Sequence, residues 1–404
     1  MVSLPLYLQG RKEDELPYHG PPRKLAKHTS SEQCFELTRG FIADCVNNHP
    51  RCRRTIRGSR EDGRPDGPYL PRRLLRIPQP NRKKTGVIVR LVETASIEAE
   101  TKKGMKYASL SYCWGNANVH KPFLLTKATH AALVAGVDVS LLPRTIQHAI
   151  LATAWLGLEW LWVDSLCIVQ DCSQDWAEQA PLMMSVYNEA FVTLAAVAAK
   201  GSDDGLFAER DPRTYLECPV FRDDAMNTTF TMPPRCKKGK MWDDWDWPLW
   251  DRGWVLQERV MARRTIKFGA FLGWDCCKME RDEFDYRKTM EVYRYRSAKP
   301  PLCARLATLT QRLPPPAQAA DASEMYNFWI DVLTEYTSAK LTVRTDRLVA
   351  ISGIIEAIHQ ETGWENVAGI WLPFIHLDLC WKRAPDRYKS RLSQWPTWSW
   401  ASVE

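Results

Sequence analysis

Residues 158–170 read LEWLWVDSLCIVQ, a nearly continuous apolar run that closes in polar residues. Runs of this kind are typical of strands that are covered on both faces, as in a parallel sheet. Two further strand-like runs, KYASLSYCW at 106–114 and FVTLAAVAA at 191–199, are separated from it by helical patterns at 142–157 and 175–190. This alternation of strands and helices predicts an α/β fold with a central, mostly parallel sheet.

The rest of the chain predicts helical and β additions at both ends of this core. We divide the sequence into a poorly ordered basic leader at 1–33, a helix and strand extension at 34–104, the core at 105–275, and a C-terminal helical region at 276–404 that ends in the aromatic tail WPTWSWASVE. Within the core, residues 200–250 are polar and show no period, which indicates irregular structure.

Charge is concentrated at the N-terminal end. The chain carries a net charge of +7, whereas residues 1–85 hold 18 Lys and Arg against 9 Asp and Glu, a net of +9, which leaves −2 for residues 86–404. A nucleic-acid interface would therefore have to lie in the first fifth of the chain. A solvated leader explains the same charge and we favour it, so nucleic acid is not an expected partner.

Composition excludes several classes of protein. A hydrophobic content of 45% and a charged content of 25% are those of a folded chain rather than of a disordered or collagen-like one. The longest apolar run, FVTLAAVAA, has nine residues, whereas a helix that spans a bilayer needs about 20. The first residues do not read as a secretory signal, so we expect a cytoplasmic protein whose 12 cysteines are thiols.

Polar residues at the end of the 158–170 run form the first candidate site. Asp164, Ser165, Cys167 and Gln170 lie where ligands bind in parallel α/β sheets, beyond the carboxyl ends of the strands. An aspartate there costs several kcal/mol unless a partner satisfies it. On the functional interpretation, Asp164 binds or orients a ligand and Cys167 is a nucleophile. On the structural one, Asp164 caps backbone N–H groups and Cys167 fills the core.

Two further segments supply residues to the same place. Ser111, Trp114 and Gly115 end the preceding strand, where an aromatic wall and a glycine allow close approach of a ligand. A charged cluster follows in an aromatic setting that includes Trp254, and it comprises Arg252, Gln257, Glu258 and Arg259. Each segment also fits a structural interpretation, the first as core packing and the second as a surface helix with salt bridges.

Cys45, His49 and Cys52 form a C-x3-H-x2-C pattern on a helix predicted at 31–47. Thiolate and imidazole are ligands that suit zinc, and Cys34 is the cysteine that could complete the set. The spacing differs from the common C-x2-C pairs, and Cys34 lies eleven residues before Cys45. We therefore favour buried thiols at the helix end and predict no metal.

Taken in order, these motifs resemble the heterokaryon-incompatibility (HET) domain of filamentous fungi. The resemblance rests on YASLSYCWG at 107–115, LPRTIQHAI at 142–150, LEWLWVDSLCIVQ at 158–170, GLF at 205–207 and RGWVLQER at 252–259. It implies an α/β core that is distantly similar to TIR domains. It also implies a role in non-self recognition and cell-death signalling, while other members of the family are encoded beside small-molecule biosynthetic genes.

The similarity to TIR domains raises NAD cleavage, which in those proteins depends on a carboxylate in the helix after the aspartate strand. On a regular helix, Glu178 points to solvent, and position 179 lies at the edge of a buried face formed by Trp176, Ala180, Met183, Tyr187 and Ala190. This sequence has Gln179, and a neutral amide cannot act as a general base. NAD cleavage by that route is therefore not expected.

We predict a ligand pocket at the strand ends. The candidate catalytic residues are Asp164, Cys167 and Glu258. The candidate ligand-binding residues are Ser111, Trp114, Gly115, Gln170, Gln179, Arg252, Trp254 and Gln257. Two functions stay open: a signalling protein that recognises a small molecule or another protein and associates with itself, or a stand-alone enzyme that acts on a small molecule. No cofactor follows from the sequence.

Overall fold

The computed structural model describes residues 9–12, 25–53, 69–78, 86–115, 123–211, 218–225, 228–232, 247–283, 301–310, 319–382 and 391–403. The α-helices in these ranges are α1 Glu32–Asn48, α2 Ala99–Lys102, α3 His130–Ala135, α4 Arg144–Trp155, α5 Asp164–Cys167, α6 Ser173–Gln179, α7 Met183–Glu189, α8 Gly253–Met261, α9 Leu302–Leu309, α10 Ala319–Ser338, α11 Ser352–Thr362 and α12 Ile375–Asp378. The strands are β1 Gln9–Lys12, β2 Arg73–Arg76, β3 Ile88–Glu93, β4 Ala108–Ser111, β5 Val137–Asp138, β6 Trp160–Trp162, β7 Val192–Ala195, β8 Cys218–Asp223, β9 Thr228–Met232, β10 Arg264–Phe268, β11 Leu272–Cys276, β12 Glu280–Asp282, β13 Asn366–Val367 and β14 Ile370–Trp371.

A sheet of nine described strands forms the centre of the molecule, in the order β12-β11-β10-β7-β4-β6-β2-β3-β5. Its middle strands β6, β4, β7 and β10 are parallel, with Ala108 opposite Leu161 on one side and Val192 on the other. The strands on both flanks pair antiparallel. The predicted α/β class is therefore confirmed, and the parallel part of the sheet is its four-stranded centre.

The central strands consist of side chains that are buried on both faces of the sheet. Leu110, Leu161, Val192 and Leu194 are fully buried, which explains why the sequence lacks the alternation of a strand with one exposed face. Helix α4, which connects β5 to β6, begins after Pro143 as its N-cap. Its buried stripe comprises Ile146, Ala149, Ile150 and Thr153, as the helical spacing predicts.

Two strands are shorter than the sequence pattern predicts. The run at 158–169 is a strand only over Trp160–Trp162, because the chain turns into the short helix Asp164–Cys167. The run at 191–199 is a strand only over Val192–Ala195. Both runs are buried along their whole length apart from single residues, so apolar character alone did not mark where the strands end.

The helix predicted at 175–190 is divided into α6 and α7. A 3₁₀ turn at Ala180–Leu182 separates them, because Pro181 lacks a backbone N–H and disfavours α geometry in the residue before it. The break changes the phase of the first half, and Trp176, predicted on the buried face, is 40% exposed. The remaining members of that predicted face, Ala180, Met183, Tyr187 and Ala190, are buried.

Strands also occur in two segments that were predicted to be irregular. Strand β1, within the leader, pairs antiparallel with β9, and β9 pairs with β8, so these three strands form a separate small sheet. Strands β8 and β9 come from the polar stretch at 200–250. Residues 1–8 and 13–24 of the leader lie outside the described residues.

Aromatic side chains pack against one another within the C-terminal region. Trp371 makes a T-shaped contact with Trp329 at 5.6 Å, and the Trp400 indole Nε1 of the aromatic tail donates to the Gly369 carbonyl oxygen at 2.9 Å. Helix α11 contacts α7 and α8, which ties this region to the strand ends. None of the helices in the described ranges has the length and apolar character that crossing a membrane requires.

Candidate functional site

The ends of β4 and β6 bring Trp114 and Asp164 together. The Trp114 indole Nε1 donates a hydrogen bond to Asp164 Oδ2 at 2.8 Å, and the Ser165 backbone N–H donates to Asp164 Oδ1 at 2.6 Å. Asp164 is half-buried at the start of α5. Because both carboxylate oxygens have a donor, part of the cost of removing them from water is offset.

Helix α8 adds Arg252 and Glu258 to the same place. Arg252 is the N-cap of α8, and its Nη1 donates to the Tyr112 carbonyl oxygen at 2.6 Å. Glu258 is buried, and its Oε2 has no hydrogen-bond partner among the described residues. Ser111 Oγ, at the end of β4, is also buried without a partner there. Such oxygens are uncommon in folded proteins and mark places where water, an ion or a ligand completes the bonding.

Burial and charge raise the pKa values of both acids. Burial raises the pKa of Glu258 to about 7; the nearby Ser111 hydroxyl opposes this rise and the negative charge of Asp164 adds to it. Burial also raises the pKa of Asp164, while the Arg252 guanidinium and the Trp114 N–H oppose that rise. Glu258 therefore exchanges its proton near neutral pH, where a carboxyl group can serve as both acid and base.

Two tyrosines that the sequence analysis did not single out complete the walls of the site. Tyr112 Oη donates to Ser165 Oγ at 2.8 Å, and Tyr187 Oη donates to the Leu110 carbonyl oxygen at 3.2 Å. Burial raises the pKa of both phenols well above the ordinary value, so both remain protonated. No local pattern marked them, because a tyrosine in an apolar run also fits core packing.

The residues of this site fall within one segment that has a family pattern. Residues 107–258 match the sequence model of the heterokaryon incompatibility protein (HET) family. We call this matched segment the HET domain. The HET domain encloses the whole site, from Ser111 to Glu258 itself, which is the last residue of the match. No curated protein and no solved structure matches the chain.

Cys167 of the HET domain does not have the surroundings of a nucleophile. Its side chain is buried, and its Sγ accepts the Val163 backbone N–H at 3.5 Å. Burial raises the pKa of the thiol to about 12, so the reactive thiolate is scarcely populated at neutral pH. These surroundings match the structural interpretation, in which Cys167 fills the core.

Gln170 and Gln257, both predicted to bind a ligand, hold backbone groups instead. Gln170 Nε2 donates to the carbonyl oxygens of Asp164 and Ile168, at 3.1 and 2.9 Å. Gln257 Oε1 accepts the Gly353 backbone N–H at 2.8 Å. Gln170 thus closes the loop around α5, and Gln257 fixes the HET domain to the start of α11.

Among the three other predicted residues, Trp254 and Gly115 have their described contacts with residues other than Asp164 and Glu258. Burial raises the pKa of Asp346, and the Trp254 indole opposes that rise, so Trp254 faces the C-terminal region. Gln179 is half-buried and forms no side-chain hydrogen bond within the described part of the chain. Gly115 has a positive φ of 84°, and a Cβ there would meet Gly201 Cα at 3.0 Å. The glycine is therefore required by a neighbouring loop.

A second buried carboxylate of the HET domain stabilises the fold. Asp175 accepts hydrogen bonds from Arg73 Nη1 and Nη2, both at 2.9 Å, and from the Val169 N–H at 2.8 Å. Burial acts to raise the pKa of Asp175, but these hydrogen bonds outweigh it and the pKa lies below the ordinary value. Because Arg73 lies on β2, the pair fastens the HET domain to the N-terminal extension. No local pattern marks Asp175 in the sequence, since its partner Arg73 is 102 positions away.

A cavity of about 310 Å³ lies on the β10–β12 side of the molecule, and neither Asp164 nor Glu258 is among its lining residues. Its walls come from α8, β10, β11, β12, α9 and α10. Its charged side chains are paired with one another: Lys267 Nζ lies 2.7 Å from Asp275 Oδ1 and 2.6 Å from Glu280 Oε1, and Arg305 Nη1 lies 2.5 Å from Asp331 Oδ2. Since these charges already satisfy one another, the strand-end site remains the better candidate for ligand binding.

The cysteine and histidine pattern at the end of α1 acquires a partner that the sequence did not suggest. Cys45, His49 and Cys52 lie with Cys276 in one buried group whose ligand atoms are all within 4.8 Å of one another. Cys34, considered as the completing ligand, is not part of this group and contacts a buried carboxylate instead. All members of the group lie outside the matched residues of the HET domain.

Proposed function

We propose that this protein acts in non-self recognition of the heterokaryon-incompatibility type and that a small polar molecule controls it by binding between Asp164 and Glu258. The match of residues 107–258 to the HET family model supports the first part. The observation that carries the second part is the buried Glu258 Oε2 atom, which lacks a hydrogen-bond partner within the described residues. A ligand that donates to this oxygen gains a hydrogen bond whose desolvation cost the folded protein has already met.

The chemistry of the site restricts the ligand. Glu258 and Ser111 together accept from, and donate to, hydroxyl or amide groups. Arg252 supplies a positive charge at the rim, and one of its nitrogens is already held by a carbonyl oxygen. The half-buried Trp114 offers a flat apolar surface beside them. A molecule with neighbouring hydroxyl or amide groups and a flat apolar part fits these requirements.

Inducible expression of the full chain in a filamentous fungus tests the proposal. We expect the wild type to arrest growth, and Glu258→Gln or Asp164→Asn to restore colony survival. Each change removes a charge-assisted hydrogen bond, which should weaken ligand binding about 10- to 100-fold. Colony counts at equal protein levels, measured by immunoblot, provide the comparison.

Glu178→Gln is the matched control, because it makes the same chemical change at an exposed carboxylate of the same domain. This variant should arrest growth as the wild type does. Arrest that persists in both site variants would contradict a role for the site. Absence of arrest by the wild type would contradict the signalling role itself.

The pKa of Glu258 favours a second function, acid–base catalysis on a small molecule. A carboxyl group with a pKa of about 7 takes up and releases a proton at neutral pH, as a catalytic acid or base must. Mass spectrometry of the purified chain incubated with a metabolite extract of the producing organism, and separately with NAD⁺, tests this function. We expect NAD⁺ to remain intact because Gln179 is neutral. Unchanged masses with the extract between pH 5 and 9 would contradict catalysis.

A further inference from the structure

Four buried side chains from two distant parts of the chain meet between the end of α1 and the end of β11. Cys45, His49, Cys52 and Cys276 each present one ligand atom, and these atoms all lie within 4.8 Å of one another. His49 Nδ1 lies 3.5 Å from Cys276 Sγ. Each of the four residues is no more than 2% exposed.

The backbone explains how these residues meet. Cys45 lies in the last turn of α1, His49 is the C-cap of that helix, and Cys52 follows in a 3₁₀ turn at Pro50–Arg53. The His49 N–H donates to the Cys45 carbonyl oxygen at 3.1 Å, and the Cys52 N–H donates to the His49 carbonyl oxygen at 3.0 Å. The chain thus winds through two successive turns that point all three side chains to one side. Cys276, the last residue of β11, closes that side, because α1 packs on β11.

We propose that Cys45, His49, Cys52 and Cys276 bind one zinc ion. In a tetrahedral zinc site with Zn–S distances of about 2.3 Å and a Zn–N distance of about 2.0 Å, neighbouring ligand atoms lie about 3.5 to 3.8 Å apart. The distance between His49 Nδ1 and Cys276 Sγ already has this value. The widest separation in the group exceeds it by about 1 Å, which side-chain rotation can close.

The surroundings of the group fit a zinc site as well. The other ring nitrogen of His49, Nε2, lies 3.8 Å from Asp44 Oδ2. A carboxylate on the outer nitrogen is the usual partner that orients a zinc-binding imidazole. Asp44 is itself held by Arg281, whose Nη2 lies 3.2 Å away.

Charge provides an independent argument. Arg264 is buried, and its Nε donates to Cys45 Sγ at 3.3 Å, while its Nη2 donates to the Cys52 carbonyl oxygen at 2.9 Å. No carboxylate forms an ion pair with Arg264 within the described part of the chain. Three thiolates and a neutral imidazole around Zn²⁺ carry a net charge of −1, which this buried cation balances.

The site has the character of a structural site. Four protein ligands fill a tetrahedral shell, and their burial leaves no open position for a substrate. Binding releases the thiol protons to solvent and joins α1 to β11, 224 positions apart between Cys52 and Cys276. The zinc would thus fasten the N-terminal extension to the part of the sheet that follows the HET domain.

The full chain, purified without chelators, tests the proposal by elemental analysis. We expect about one zinc per chain, and exchange with Co²⁺ should give the thiolate charge-transfer and strong visible bands of tetrahedral cobalt. Removal of the metal with a strong chelator should lower the melting temperature by about 10 °C or more, because metal binding free energy is folding free energy.

Cys276→Ser and Cys34→Ser form a matched pair, since both thiols are buried and Cys34 lies outside the group of four. Only Cys276→Ser should lose the zinc and the cobalt spectrum. If Cys276→Ser does not fold, the metal content and cobalt spectrum of the wild type still decide. Wild type without stoichiometric zinc, a different resident metal, a disulfide detected by mass spectrometry, or zinc retained by a folded Cys276→Ser would each overturn the proposal.

Discussion

Two aspartates of the HET domain, the half-buried Asp164 and the buried Asp175, lie eleven residues apart and have opposite environments. Asp175 receives hydrogen bonds from both terminal nitrogens of Arg73 and from a backbone N–H, and its pKa lies below the ordinary value. Asp164 lies beside Glu258, and the pKa values of both acids are raised. Asp175 is therefore ionised, whereas Glu258 is close to half-protonated at neutral pH.

The difference lies in how many donors face each carboxylate. Where donors saturate the oxygens, as at Asp175, the group stabilises the fold and has nothing left to offer a ligand. Where burial exceeds hydrogen bonding, as at Glu258 Oε2, the fold carries an electrostatic cost that a ligand can relieve. The presence of a pKa shift does not by itself distinguish a structural carboxylate from one that can bind a ligand. The direction of the shift and the presence of carboxylate oxygens without a donor do distinguish them.

The largest expected effect on the free energy of unfolding comes from breaking the Arg73–Asp175 ion pair. Asp175→Ala removes the carboxylate that bonds both terminal nitrogens of the buried Arg73 guanidinium, which then keeps Glu93 as its ion-pair partner, and we expect a loss of about 3 kcal/mol or more in the free energy of unfolding. Urea denaturation at pH 7 provides the measurement. Replacement of both partners, Arg73→Leu with Asp175→Leu, should cost less than Asp175→Ala alone. A loss below about 1 kcal/mol in Asp175→Ala would show that the pair is not structural.

The second prediction concerns Glu258, whose Oε2 atom lacks a hydrogen-bond donor among the described residues. Here the substitution is expected to raise, rather than lower, the free energy of unfolding relative to the wild type as the pH rises. The folded-state pKa of Glu258 is raised from 4.5 to about 7, so the wild type loses stability as the pH rises through this interval. Glu258→Gln does not ionise, and its stability relative to the wild type should rise across the same interval by up to about 3 kcal/mol. For Asp175 we expect the reverse behaviour, because its pKa is lowered. The stability that this carboxylate gives the fold is lost only as the pH falls below the ordinary aspartate range.

Unfolding free energies of wild type and Glu258→Gln at pH 4, 6 and 8 measure this effect. A constant difference between the two proteins at all three values would contradict a raised pKa for Glu258. The same series on Glu178→Gln controls for general charge effects, since that carboxylate is exposed.

The smallest effect is expected at Trp114. Trp114→Phe keeps the aromatic ring and removes the indole N–H that donates to Asp164 Oδ2. We expect a loss of about 1 kcal/mol, with a further rise in the pKa of Asp164 because an opposing hydrogen bond is gone. Urea midpoints with an unchanged m-value check the size of the loss. A loss above about 3 kcal/mol in the free energy of unfolding would show that Trp114, like Asp175, is required by the fold.

The sequence predicted those parts of the fold that depend on local pattern. Helices α1 and α4 follow the segments predicted at 31–47 and 142–157, because helical periodicity marks them directly. Helix α6 ends earlier than predicted because Pro181 interrupts the phase. The strand character of 73–76 was not predicted, since it depends on pairing with β6 and β3.

The candidate site was predicted in part for a similar reason. Asp164, Trp114, Arg252 and Glu258 come together because strand ends converge in a parallel sheet, a rule that needs only the order of elements. The orientation of Gln257 toward Gly353 depends on the packing of α11, which no nearby residue indicates. The meeting of Cys276 with the α1 residues depends in the same way on a contact between distant segments.

The order of strands in the large sheet limits how the HET domain can be isolated. Among the described residues of the family match, the strands in this sheet are β4, β6, β7 and the short β5 at its far edge. Strands β2 and β10, which lie outside the match, cover β6 and β7. A fragment cut at 107 and 258 would have two open hydrogen-bonding edges in its most apolar strands. Such edges template intermolecular pairing, so this fragment is expected to aggregate, whereas one that starts before Arg73 and ends after Phe268 keeps both edges protected.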